Sequence, residues 1–154
     1  MTSLLVHGTT VALGETGVML RGSSGAGKSD LALRFLADQG RWPTGDSRRA
    51  LVTDDQTLLT ATPDGLVASA PAGIAGKLEV RGIGIIELNV RGPVALRLIV
   101  DLVSPGVVER LPEMADSVTW LGCTLPIRQL APFELSSSLK LALLIRSLQA
   151  SDPG

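Results

Sequence analysis

The chain has 154 residues, 45% of them hydrophobic, and its 14 Lys and Arg against 15 Asp and Glu leave a formal net charge of −1. This length supports one domain, residues 1–154, with a core of its own and is too short for two. Scattered basic residues give no electrostatic footprint for nucleic acid or an anionic membrane. The N-terminus lacks a basic, apolar leader, and no run reaches the ~18 uninterrupted apolar residues of a membrane span, so a cytoplasmic protein is expected. Cys123 is the one cysteine, which excludes an intramolecular disulfide and a cysteine-based zinc site.

Residues 4–6, 11–13 and 18–20 are short β-prone runs separated by glycine-containing turns, which predicts a meander. Residues 22–29 then read Gly-Ser-Ser-Gly-Ala-Gly-Lys-Ser, a complete G-x-x-x-x-G-K-[ST] phosphate-binding motif. In such a motif Gly22, Gly25 and Gly27, with Ser23, Ser24 and Ala26 between them, wrap the backbone around an anion so that N–H groups point inward. Lys28 reaches the β- and γ-phosphates and Ser29 binds Mg²⁺. The apolar run Val18-Met19-Leu20-Arg21 before the motif and a predicted helix over 29–39 after it supply the strand, loop, helix order that the chemistry needs. That helix stops at Gly40 and aims its N-terminal dipole at the phosphate.

Residues 41–49 are polar, with Pro43 and Gly45, and predict a loop; residues 50–53 are an apolar strand ending on Asp54-Asp55. The runs 57–62 and 66–69 flank Pro63-Asp64-Gly65, a hairpin signal. Residues 77–88 combine Leu78, Val80, Ile83, Ile85 and Ile86 with two glycines. Residues 94–103 alternate as a long strand with Leu96, Leu98 and Val100 on one face. A closing helix is predicted over 134–149, with Leu135, Leu139, Ala142, Leu143 and Arg146 at a 3.6-residue period. Neighbouring strands without crossover helices imply an α/β fold whose sheet is mixed rather than purely parallel.

The motif alone does not name a reaction. Phosphoryl transfer is positioning and electrostatics, so carboxylates are needed to hold Mg²⁺ and orient the attacking oxygen. The candidates are Asp54-Asp55, Glu79, and Asp101 after Leu98-Ile99-Val100, the last placed like the second metal-binding motif of many nucleotide hydrolases. Adjacent side chains on an extended strand point oppositely, so at most one of Asp54 and Asp55 faces the phosphate. His7 is the only histidine.

Several fragments, in order, resemble the catalytic domain of the HPr kinase/phosphorylase family: Val6-His7-Gly8, the 22–29 motif, Leu51-Val52-Thr53-Asp54-Asp55, and Leu78-Glu79-Val80-Arg81-Gly82-Ile83-Gly84-Ile85-Ile86, which is similar to the family's signature block. Val108-Glu109-Arg110-Leu111 is similar to its acidic-Arg-Leu segment, and Leu125-Pro126-Ile127-Arg128 to the start of its late loop. The resemblance covers about residues 5–130. It implies a P-loop mixed sheet like that of phosphoenolpyruvate carboxykinase, and an ATP- and Mg²⁺-dependent serine kinase acting on HPr or an HPr-like carrier of a phosphotransferase system, with reverse phosphorylase activity. Asp54 would be the general base, and the general acid in reverse, with His7 beside it and Asp55 a neighbour. Lys28 would stabilise the transferring phosphate, Ser29 and Glu79 would hold Mg²⁺, and Arg110 would offset transition-state charge. Arg81 and Gly82 to Gly84 would shape the signature loop, and Arg128 would serve dephosphorylation.

Against the family, a catalytic core alone is expected, without the N-terminal domain of full-length members, and after Arg128 Gln129-Leu130-Ala131-Pro132 replaces an expected Pro-Gly-Arg-Asn. A homo-oligomer, hexameric in the family, is the expected assembly. Two rival readings use the same residues: a kinase with another acceptor, and a nucleotide-sensing module that signals through partners.

Overall fold

The computed structural model describes residues 2–38, 48–88, 90–109 and 116–150. The meander forms as expected: β1 (Ser3–His7), β2 (Thr9–Leu13) and β3 (Thr16–Arg21). After the 22–29 loop comes α1 (Lys28–Ala37), where Asp38 N–H closes on the Arg34 carbonyl at 3.0 Å; the predicted stop at Gly40 and most of the polar loop after it lie outside the described residues. Next come β4 (Arg49–Thr53) and the hairpin of β5 (Gln56–Thr62) and β6 (Gly65–Ser69) around Pro63-Asp64. β7 (Lys77–Val80) and β8 (Gly84–Glu87) make a separate ribbon. The rest is β9 (Val94–Leu102), a 3-10 turn (Pro105–Val107), β10 (Asp116–Trp120), β11 (Cys123–Leu130) and α2 (Ser137–Ala150).

Among the described residues, nine strands share one sheet in the order β1-β5-β6-β9-β3-β2-β4, with β11 also beside β9 and β10 beside β11. β9 runs parallel to β3 and β11 and the other pairs are antiparallel, so the sheet is mixed as the missing crossovers predict. It curls, bringing β5 and β6 back against β2 and β4. One face packs Val11, Val18, Leu20 and Val100 under Leu31 and Phe35 of α1 and Leu141 and Ile145 of α2. The other packs Ala12, Met19, Val52 and Ile99 with Leu59 and Leu66. β2 and β3 are therefore buried on both sides, which explains why they read as continuous rather than alternating runs.

Three expectations are corrected. Leu96 does not share a face with Leu98 and Val100, because the β3–β9 register steps from Gly17↔Leu96 to Val18↔Leu98. Arg97 is the extra residue of a bulge, which sends Leu96 into the opposite cluster from Leu98 and Val100. In α2 the buried stripe is Leu141, Ala142 and Ile145, while Leu139 and Leu143 are 41% and 45% exposed and Leu135 precedes the helix, fully exposed. Apolar and polar residues both occur all round the helix, so its period does not choose a phase. Residues 125–128 form part of strand β11, drawn beside β9, rather than a loop. No described helix is long and apolar enough to cross a membrane.

Candidate active site

β3 ends at the floor of the loop formed by residues 22–29. Gly25 and Gly27 have φ of 84° and 100°, left-handed values that glycine adopts without penalty, and a Cβ on Gly22 would come 2.8 Å from that of Ala26. Ala26 N–H donates to the Ser23 carbonyl at 2.9 Å and Leu31 N–H to that of Gly27 at 2.9 Å, the first turn of α1. The loop thus coils onto a helix N-terminus, where unbonded N–H groups and the dipole suit an anion. Lys28 is buried; its Nζ donates to the carbonyls of Gly22 at 2.7 Å and Ser23 at 3.2 Å, leaving one of three donor positions for a ligand.

Facing the loop is the end of β4. The buried Asp54 carboxylate accepts from Thr9 Oγ1 at 2.9 Å and from Ser29 Oγ at 2.8 Å on Oδ1, and from Glu79 N–H at 3.2 Å on Oδ2. One carboxylate therefore ties together β2, α1 and β7. Asp55 has φ of 67°, and Gln56 N–H reaches back to the Asp54 carbonyl at 2.7 Å, a tight γ-type turn that a non-glycine residue holds only under strain. Gly8 N–H fixes the Asp55 carbonyl at 2.8 Å, and Thr9 Oγ1 accepts from Asp55 N–H at 3.1 Å.

That turn decides where His7 acts. The Asp55 side chain is thrown toward the end of β1, where His7 pairs with Gln56 in register, and His7 Nε2 lies 3.3 Å from Asp55 Oδ1, both side chains more than half exposed. His7 is paired with Asp55, the neighbour of the residue beside which the resemblance sets it. Asp55, Glu79 and Arg81 line the same cavity of about 320 Å³ as Ser24, Lys28 and Ser29.

Two other candidates are engaged elsewhere. Asp101 takes a two-pronged contact from Arg21, Nε at 2.7 Å and Nη2 at 3.0 Å, and the guanidinium lies 5.9 Å from the centre of the Trp120 ring. The hydrogen bond that Arg21 donates to Asp101, more than the charge of Asp101, raises the Arg21 pKa above its ordinary value against partial burial. Arg128 sits in β11 and lines a different cavity of about 680 Å³ with Asp101. Arg110 lies outside the described residues. Thr9 is a positioning residue that the sequence does not single out; its signal is a hydroxyl, beside that of Thr10, at the start of a buried strand.

The oxygen donors present are hard ones: the Ser29 hydroxyl, and the carboxylates of Asp54 and Glu79. They fit Mg²⁺, which takes one or two carboxylates and keeps its other positions for water and substrate phosphates.

The HPr Serine kinase C-terminal domain family matches residues 1–131. The HPr kinase/phosphorylase of Bordetella pertussis is 32% identical over 153 residues, 92% of this chain and 46% of that protein. That of Levilactobacillus brevis is 39% identical over 98 residues, 63% of this chain and 29% of that protein. The chain thus spans about half the length, or less, of these curated relatives. The solved structure of the Hpr(Ser) kinase/phosphatase from Coxiella burnetii superposes with a TM-score of 0.79 over 96% of this chain and 91% of that one, at 22% identity, which shows the shared fold. With the family match running through the loop, the acidic pair and the β7–β8 ribbon, the chain belongs to the HPr serine kinase C-terminal domain family.

Proposed function

We propose that the chain is a serine kinase that uses ATP and Mg²⁺ to phosphorylate HPr, or an HPr-like carrier of a phosphotransferase system, in the cytoplasm. The observation that carries this reading is the 2.8 Å hydrogen bond from Ser29 to Asp54. It joins the motif that would take the phosphates to the acidic pair that would act on the acceptor. The phosphate-loop and carboxykinase-like character of the fold belongs to the same proposal.

Lys28 would neutralise the transferring phosphoryl group, and Ser29 and Glu79, joined through Asp54, would hold Mg²⁺. When bound, Mg²⁺ would supply charge neutralisation for the phosphates. The geometry favours a different division of labour between the two aspartates than the resemblance implies. Asp54 is buried and accepts from three donors, so it orients Ser29. Asp55 is open to a protein hydroxyl and is steadied by His7. We therefore assign the base to Asp55: it takes the serine proton as the Oγ–Pγ bond forms, the bond from Pγ to the bridging oxygen breaks, and ADP leaves with the electron pair. In reverse, protonated Asp55 returns the proton to the serine oxygen while inorganic phosphate takes the phosphoryl group as pyrophosphate. Arg110 is the proposed partner of transition-state charge. The exposed Leu135, Leu139 and Leu143 support a homo-oligomer, a hexamer by family precedent.

ADP formation is the test. It should require both Mg²⁺ and an HPr-type carrier. Mg²⁺-dependent turnover indifferent to the carrier would point to another acceptor, and ATP binding without turnover to a nucleotide-sensing module.

A further inference from the structure

The connection from β11 to α2 passes directly over the 22–29 loop. A Cβ built on Gly27 would come 2.9 Å from the Phe133 ring and 3.1 Å from the Pro132 side chain, so both residues lie against the loop just before α1. The backbone on either side of Phe133 is fixed. The buried Ser137 hydroxyl donates to the Ala131 carbonyl at 2.6 Å and accepts from Glu134 N–H at 3.0 Å. Arg34, from α1, donates to the carbonyls of Pro132 and Glu134. The ring held this way is nevertheless 68% exposed, and it lines the cavity that also contains Lys28 and Ser29.

We infer that Phe133 is the stacking platform for the base of the bound nucleotide, an inference that rests on the phosphate-site reading of the loop. Backbone N–H groups and Lys28 read phosphates and nothing of the base. An aromatic face stacks on any base, because every base has a π-face. The cavity, about 320 Å³ with Leu33 and Val80 as further apolar lining, reaches the lower range of small-ligand sites. A backbone already ordered on both sides of the ring has less freedom to lose when the base arrives. The platform therefore separates base-bearing from base-free polyphosphates without choosing between purines.

Calorimetric binding of ATP and of tripolyphosphate, both with Mg²⁺, tests this on the wild type, Phe133→Ala and Phe133→Trp. The alanine variant should lose about tenfold in ATP affinity and keep its tripolyphosphate affinity. The tryptophan variant should keep ATP affinity, with its added fluorescence changed by ATP and not by tripolyphosphate. Unchanged ATP affinity in Phe133→Ala overturns the inference, as does a parallel loss for both ligands, which would mean that the ring acts by shaping the loop at Gly27. A changed oligomeric state with ATP affinity intact overturns it too and gives the ring to a protein interface. If the wild type binds neither ligand, the phosphate-site reading fails first and the platform with it.

Discussion

Ser29 donates to the Asp54 carboxylate at 2.8 Å, and this contact links the first turn of α1 to the end of β4. Asp54 thereby fixes the hydroxyl proposed to meet Mg²⁺. Asp54→Asn keeps the shape but loses the charge and one acceptor oxygen. It should weaken binding of Mg²⁺-ATP by about 1–3 kcal/mol, the cost of disrupting a buried, charge-assisted hydrogen-bond set. Titration with ATP in Mg²⁺ and in a chelator reads this; equal affinities for variant and wild type in Mg²⁺ would contradict it.

Asp55→Asn should behave differently. Asn tolerates the left-handed backbone that Asp55 holds at φ 67°, so the turn survives. Loss of a general base should lower transfer by about 10²–10⁴-fold with Mg²⁺-ATP affinity unchanged. If Asp54→Asn gives this pattern and Asp55→Asn does not, the base is Asp54.

Thr9→Val removes a buried hydroxyl that donates to Asp54 and accepts from Asp55 N–H. Leaving those partners unsatisfied should destabilise the fold by about 1–3 kcal/mol, and Thr9→Ser should restore most of it. Urea midpoints measure the change, and an unshifted midpoint in Thr9→Val would remove Thr9 from its positioning role.

Lys28→Met keeps much of the buried stem and deletes the charge. Losing charge-assisted hydrogen bonds, each worth about 1.5–3 kcal/mol, should reduce ATP affinity roughly tenfold to a hundredfold. Wild-type affinity in this variant would show that the 22–29 loop is not the nucleotide site.

Leu121 and Gly122 turn the β10–β11 hairpin with φ of 51° and 80°, both left-handed. Leucine is strained there and Asn is not, so Leu121→Asn should raise stability by roughly 1 kcal/mol. A lower unfolding midpoint would show that the packing of Leu121 outweighs its strain.

The same turn explains part of what the sequence hides. Leu-Gly is not a pair that signals a two-residue hairpin, so β10 and β11 are not legible, whereas Pro63-Asp64-Gly65 marks the β5–β6 turn plainly. The loop, α1 and the strand into Asp54-Asp55 are legible because local chemistry dictates them: glycines at left-handed positions, an apolar run before, an amphipathic helix after. The bulge at Arg97 and the phase of α2 are set by packing partners distant in the chain, and alternation or period alone carries neither.

In the site, spacing alone brings Lys28, Ser29 and the acidic pair to notice. Which aspartate faces outward is not legible, because the rule that neighbours point oppositely assumes an extended strand, and the strand ends at Asp55 in a turn with positive φ. Phe133 is equally hidden. Nothing in Ala131-Pro132-Phe133 foretells that the chain will cross the loop at Gly27, a contact made between residues far apart in sequence.

The proposed activity is serine phosphorylation of a carrier. Transfer of label from γ-labelled ATP, in Mg²⁺, to an HPr-family protein and to its version with the acceptor serine replaced by alanine tests it most directly. Label on the first and not on the second is the predicted result. ATP binding with no label on either protein would contradict that activity.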